Sequence, residues 1–325
     1  LDTDHLTVQV SPGDALQVVP DLSSIYDEPF ADSSQIPTYL VSKIAKEHVT
    51  VCLSGDGGDE LFAGYNRYMW TDYIWKQISI IPRPLRRLVG KALAIPSPSS
   101  WDNLYQGITR LKRSKQRSQK LVGLKLQKLA GFMQQSDIEQ GYDYLLSYWD
   151  EPEKLVTMEQ AAHYQVSVDG YPATDEFVNR AMYLDQIGYL PGDNLAKVDR
   201  ASMAVSLETR LPLLSHEIVE LAWKIPLSMK VNEETAKWLL RKVLYKYVPQ
   251  ELIDRPKTGF SVPVAYWLNG ELHEWAGDLL TSTGLPGREY FHGADINKVW
   301  SEHTSGRFDY SHRLWTILMF LSWTN

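Results

Sequence analysis

Apolar positions follow two periods along this chain. Residues 6–10 carry a short β-branched strand pattern and residues 49–53 a continuous apolar one. Between them, Pro12-Gly-Asp-Ala opens a short helix, and residues 37–48 place Tyr39, Leu40, Ile44 and Ala45 on one helical face. An apolar strand that follows a helix suits a parallel sheet buried on both faces. Past about residue 76 helical spacing takes over, at 154–168, 194–206, 215–224, 236–247 and 313–323. Trp238, Tyr245, Tyr247, Tyr266 and Trp267 sit at helical spacings and read as core residues. The pattern predicts an α/β N-terminal part followed by a mostly helical remainder.

Charge divides the chain further. Residues 76–135 hold 13 Lys/Arg against one acid, Asp102, in a protein whose net charge is −7. Such a stretch is able to steer a polyanion, but it has few aromatics for stacking (Trp101, Tyr105, Phe132), and the rest of the chain is acidic. It reads as a solvated or inter-domain helical face, and nucleic acid is not expected as a partner. A Pro/Ser cluster at residues 95–100 reads as a loop inside it.

Composition excludes several functions. The single cysteine, Cys52, rules out an internal disulfide framework and a Cys-rich zinc site, fits the cytoplasm, and reads as a small core residue of its strand. No apolar run is long enough for a membrane span and the start carries no signal peptide, so neither membrane nor secretion is expected. The eight histidines lack ligand spacing, and no Gly-x-Ser-x-Gly elbow occurs.

The chemistry concentrates in Ser54-Gly-Asp-Gly-Gly-Asp-Glu60, directly after the second strand. Ligands of open α/β sheets bind outside the carboxyl ends of strands, where glycines such as Gly55, Gly57 and Gly58 let backbone N–H groups approach. Asp56 and Asp59 at such a mouth suit Mg²⁺ that bridges phosphates rather than bare phosphate. The same spacing also reads as a plain Gly/Asp turn with Asp59 as a helix N-cap. A calcium loop fits less well than either, because the alternating Asp/Asn ligands and the Glu at position 12 of the EF-hand pattern are absent.

The run Ser54-Gly-Asp-Gly-Gly-Asp-Glu-Leu-Phe-Ala-Gly-Tyr-Asn-Arg-Tyr68 resembles the second nucleotide motif in the synthetase domain of glutamine-hydrolysing asparagine synthetases. Tyr26-Asp-Glu-Pro-Phe-Ala-Asp-Ser-Ser-Gln-Ile-Pro-Thr-Tyr-Leu40 resembles that family too, as do Tyr189-Leu-Pro-Gly-Asp-Asn-Leu-Ala-Lys-Val-Asp-Arg-Ala-Ser-Met-Ala204, Leu207-Glu-Thr-Arg-Leu-Pro212 and Arg255-Pro-Lys-Thr-Gly-Phe-Ser261. The resemblance implies a parallel-sheet ATP-pyrophosphatase core (adenine nucleotide alpha hydrolase-like). In that family ATP activates the aspartate side chain as an acyl-adenylate, and ammonia from an N-terminal glutaminase domain attacks it. Carried over, Ser54, Gly55 and Asp56 meet the nucleotide and Asp59 holds Mg²⁺. Asp56, where many relatives have Glu, lies near the acyl-adenylate. Glu60, Ser33, Ser34 and Asp193 fall at the substrate, although the segment around Ser33 has no Arg to clamp an α-carboxylate.

Lys237 and Lys257 match family lysines, and a departing pyrophosphate needs cations aimed at its oxygens. Without that context each reads as a solvated lysine, Lys257 in a loop and Lys237 on a helix. Asp193 also reads as the N-cap of a helix from Asn194. Asp199–Arg200 and Glu208–Arg210 read as buried ion-pair scaffolding.

The resemblance divides the chain into residues 1–75, a remnant of the nucleotide-binding sheet; 76–170, a basic helical insertion; and 171–325, helices that complete the cleft. The family's first pyrophosphate loop belongs further upstream of Ser54 than the 53 residues present here, and its glutaminase domain needs an N-terminal Cys where this chain has Leu1. An incomplete core is therefore expected, with little or no synthetase activity by itself and an edge strand at 6–10 open to self-association, as in a homodimer, or to another intermolecular pairing. The alternatives are a sibling enzyme acting on another carboxylate, or a fragment that only binds nucleotide or a partner.

Overall fold

The computed structural model describes residues 3–111, 122–149, 151–157, 174–233, 235–254 and 261–325, without the side chains of 108–111. The chain forms two compact units, each made of two segments: residues 1–69 with 164–262, and 70–163 with 263–325. Helices dominate both.

The first unit contains a two-stranded parallel sheet. β1 (Val51–Leu53) pairs with β2 (Glu208–Arg210) in the register Val51↔Glu208, Cys52↔Thr209, Leu53↔Arg210. The helix Gln35–Lys46 leads into β1 and packs on the helix Ala196–Met203 that precedes β2. Buried Ile36, Tyr26, Leu22, Ala201 and Leu207 fill the unit's interior. A second cluster forms around Leu61, Phe62 and Ala222, backed by Leu214, Ile218 and Leu240. The helix Pro12–Val18 starts as its sequence predicts: Ser11 and Asp14 form a capping box that satisfies two N-terminal donors.

Several expectations are corrected here. Residues 6–10 form no strand; with no ladder partner, Leu6, Val8 and Val10 stand exposed, and the expected pairing edge is not formed there. The strand at 49–53 shrinks to three residues, and Leu53 is 75% exposed, because the sheet of the described residues has two strands and no layer over this side. Cys52 is only half-buried, its Sγ 3.5 Å from Thr209 Oγ1. The helix expected at 236–247 spans only Trp238–Leu244, since Lys237 takes a left-handed conformation at φ 56° and breaks the preceding turn. Tyr247 and Tyr266 point to solvent, whereas Trp267 is core.

The second unit is helical. The helix Val122–Phe132 packs against both Arg83–Ala94 and Pro98–Leu111; the last begins inside the expected 95–100 loop, where Ser97 Oγ accepts from Ser100 N–H. Arg86 is buried, yet its guanidinium is satisfied: it donates to the carbonyls of Met133 (3.1 Å) and Gln135 (2.7 Å) and lies 4.5 Å from the Trp75 ring centre. The C-terminal helix Ser311–Thr324 buries Leu314, Trp315, Ile317, Leu318 and Leu321 against Val264–Asn269 and His273–Thr281.

Candidate active site

The loop after β1 is built by backbone geometry. Ser54 N–H donates to Arg210 O at 2.9 Å, which extends the β1–β2 ladder to the loop's first residue. Gly57 then turns the chain at φ 86°, where a Cβ would lie 2.2 Å from Leu214 Cδ2. A short helix, Gly58–Leu61, follows with Gly57 as its N-cap. Asp59 is therefore inside the first turn, not the cap the plain-turn reading assigned to it. Ser54 Oγ donates to Asp56 Oδ2 at 2.5 Å. A side chain at Gly55 would meet no atom within 4 Å, so the loop's rim stands clear of protein.

Asp59 and Lys237, far apart in sequence, meet here: Nζ lies 2.8 Å from Oδ2. Lys237 N–H also donates to Phe62 O at 3.2 Å. Gly64 makes room for the pair, since a Cβ there would sit 2.1 Å from both Asp59 Oδ1 and Lys237 Cε. Among the described residues no three His, Cys, Asp or Glu gather into a metal cage. Magnesium bound through one or two carboxylates and a ligand's phosphates needs no such cage, and the oxygen donors of Asp56 and Asp59 fit that pattern.

Next to Asp59, the buried Glu60 enters a hydrogen-bond network. Its Oε1 accepts from Tyr65 OH (2.7 Å) and Asn194 Nδ2 (3.0 Å), and its carbonyl accepts from Gln186 Nε2 (2.9 Å). Burial raises the Glu60 carboxyl above its ordinary range despite these donors. Arg67 lies 3.8 Å from the Tyr65 ring centre and 4.7 Å from that of Tyr189, and its guanidinium pairs with buried Asp185 at 2.6 Å.

Asn194 links this network to a second charged group. Its Oδ1 accepts from Lys197 Nζ (3.2 Å), which also donates to Asp32 Oδ2 (2.5 Å) and reaches Asp193 Oδ1 (3.4 Å). Ser34 holds Asp32 through its N–H and hydroxyl, and Ser33 is buried in the same turn. Burial, and then the charge of Asp32, push the Asp193 carboxyl up to about 7 in spite of Lys197. Burial also opposes ionisation of Asp32, but the charge of Lys197 and the bonds from Lys197 and Ser34 outweigh it, and Asp32 is lowered.

The structure thus gathers Ser33, Ser34, Asp56, Asp59, Glu60, Asp193 and Lys237 in one unit; Lys257 lies outside the described residues. Asp193 is no N-cap, because a helical turn, Leu190–Leu195, runs unbroken into Ala196–Met203. The scaffold pairs differ from expectation as well. Arg200 pairs with Glu28 (2.7 Å), not its neighbour Asp199, and Arg210–Glu208 is exposed, because β2 forms a sheet edge. Asp32, Tyr65, Asn194 and Lys197 were missed by sequence reasoning. The i, i+4 spacing of Asp193 and Lys197 on one helical stretch was the available signal. A cleft of about 850 Å³ in the second unit contains none of these residues, so volume does not mark the chemistry.

Residues 1–325 match the model of a family described as Asparagine synthase. The chain belongs to the asparagine synthase family. It is 31% identical to an asparagine synthetase [glutamine-hydrolyzing] of Bacillus subtilis over 99% of its own length and 48% of that protein's. It is 34% identical to a Mycobacterium bovis protein provisionally named a glutamine-hydrolysing asparagine synthetase, over 98% and 46%. The chain thus spans about half the length of these asparagine synthase relatives.

Proposed function

We propose that the chain is the synthetase part of a glutamine-hydrolysing asparagine synthetase, built on an ATP-pyrophosphatase core and working in the cytoplasm. A carboxylate oxygen of aspartate attacks the α-phosphorus of ATP and pyrophosphate leaves. Ammonia, delivered by a glutaminase domain, then attacks the acyl carbon, AMP leaves with the electron pair of the broken bond, and the surplus proton passes to solvent. The observation that carries this reading is the Asp59–Lys237 pair in a glycine loop at the carboxyl end of a parallel strand. An anion and a cation held together before substrate arrives are arranged to separate onto a metal-bound polyphosphate. Asp59, with Asp56, would hold the Mg²⁺, whose charge offsets that of the phosphates. Lys237 and Lys257 receive the pyrophosphate oxygens. Ser54 and Gly55 border the nucleotide, while Glu60, Asp193, Ser33 and Ser34 face the acceptor.

A second reading, a sibling that activates another carboxylate, draws support from Lys197. Its ammonium pairs with Asp32, the carboxylate that Ser34 holds, so that Asp32 and Asp193 already neutralise it. The test is to incubate the full-length protein with ATP, Mg²⁺, ammonium and aspartate, then quantify AMP and asparagine. Equal amounts of the two support asparagine synthesis. AMP released only with a different carboxylate moves the function to the sibling, and no AMP with any carboxylate overturns both.

A further inference from the structure

The helix Arg83–Ala94 in the second unit shows an unusual division of faces. Arg86 and Gly90 are buried and Leu93 half-buried, and the Arg86 bonds to the Met133 and Gln135 carbonyls fix that face inward. The opposite face is apolar and in solvent. Leu85 (52%), Leu88 (64%), Ala92 and, just past the helix, Ile95 (83%) recur at i, i+3, i+7 and i+10. Exposed Arg83, Arg87 and Lys91 run along one flank, and the helix has no acid. The preceding helix, Asn66–Ile78, packs Trp75 on Arg86 and leaves Trp70 and Tyr73 exposed.

We propose that this surface lies on an anionic lipid bilayer, with the Leu85–Leu88–Ile95 stripe in the acyl boundary and Arg83, Arg87 and Lys91 at the headgroups. A solvent-facing apolar stripe is costly unless something covers it. Charge complementarity selects the occupant: exposed Arg83, Arg87 and Lys91 on a helix without an acid suit a surface of phosphates, and cations flanking an apolar stripe are the pattern of interfacial helices. The expectation of no membrane partner rests on the lack of a spanning run. A 12-residue helix lying flat needs none.

The test is flotation of the full chain with phosphatidylcholine vesicles, with and without an equal part of phosphatidylglycerol. The protein is expected to float with the anionic vesicles and to be released as salt rises. Arg87→Gln and Lys91→Gln should each weaken binding roughly fivefold. Leu88→Glu with Ile95→Glu should weaken it more than tenfold, on the order of the loss of two buried apolar side chains. These side chains touch solvent, so unchanged circular dichroism melts verify folding; if the glutamates disturb it, Leu88→Ser with Ile95→Ser replaces them. No flotation with anionic vesicles overturns the proposal, as does flotation indifferent to these substitutions. A dimer in sedimentation analysis that Leu88→Glu dissociates would also overturn it, assigning the stripe to a second copy.

Discussion

Lys237 Nζ and Asp59 Oδ2 lie 2.8 Å apart, joining the start of one helix to the first turn of another across 177 intervening residues. Both side chains are partly solvated, at 30% and 24% exposure, so the pair contributes little to stability, about 1 kcal/mol or less. A left-handed Lys237 and a glycine at position 64 are nevertheless required to seat it. Strain in a contact that yields little stability leaves two roles to tell apart, one in the fold and one in the proposed reaction.

The first prediction separates those two roles. Lys237→Ala and Asp59→Asn are each expected to lower ATP-dependent pyrophosphate release at least 100-fold, on the scale of losing one charge-stabilising group. Their thermal midpoints should stay within a few degrees of the wild type. A loss of midpoint without loss of pyrophosphate release would make the pair structural.

Asp193 carries a pH dependence. Burial, and then the charge of Asp32, push its carboxyl up to about 7, above its ordinary 3.8. Between these values the folded state binds more protons than the unfolded one, so stability falls as pH rises through that window. Water reaches part of the side chain, which is 30% exposed, so the penalty at pH 8 is about 2 kcal/mol rather than the full shift. Asp193→Asn should be more stable than the wild type at pH 8 and nearly equal to it at pH 4. Urea melts at the two pH values read this directly, and a variant gain independent of pH would refute the assignment.

Lys230 shows the opposite sign. It is 1% exposed, with Nζ 5.3 Å from the Trp223 ring centre, and burial lowers its amine to about 8 while Glu176 partly resists. The penalty for burying the charge is fully present below pH 8 and is relieved as pH climbs towards 10.5. Lys230→Met keeps the volume and should be neutral or stabilising at pH 7. Melts across pH 7 to 10 should show wild-type stability converging on the variant's. A variant several kcal/mol weaker at pH 7 would mean that the ammonium is fully compensated in the fold.

How much of this was legible follows from the same residues. The glycine loop could be read because its conformational demands, such as φ 86° at Gly57, restrict the residue type locally. Helices with an amphipathic face and a good cap, such as Pro12–Val18 after Ser11, were readable for the same reason. The strand at 6–10 was misread because strand character depends on a partner that local sequence does not specify. Lys197 carries no local sign of its place, because a lysine on a helix is ordinarily solvated; its value comes from Asp32, 165 residues away. The Asp59–Lys237 distance is likewise a tertiary fact that propensity does not encode.

Tyr65 allows the last test, because one atom can be removed without disturbing its packing. Its ring meets Tyr68 and Tyr189 edge-on at 5.6 and 5.9 Å and faces Arg67 at 3.8 Å, contacts that phenylalanine preserves in large part. Its hydroxyl donates to Glu60 at 2.7 Å and accepts from Asn194 Nδ2 at 3.0 Å. Tyr65→Phe leaves that buried carboxylate with one fewer donor, at a cost of about 1–3 kcal/mol, and should raise the Glu60 carboxyl further. The sign follows: a donor favours the ionised form, so its loss destabilises more at pH 8 than at pH 5, where part of the folded population is protonated. Acid-limb activity should move the same way, since a Glu60 that ionises at higher pH reaches its working charge later. Equal destabilisation at both pH values would show that Glu60 is held neutral throughout, and the carboxylate would then have no electrostatic role in the site.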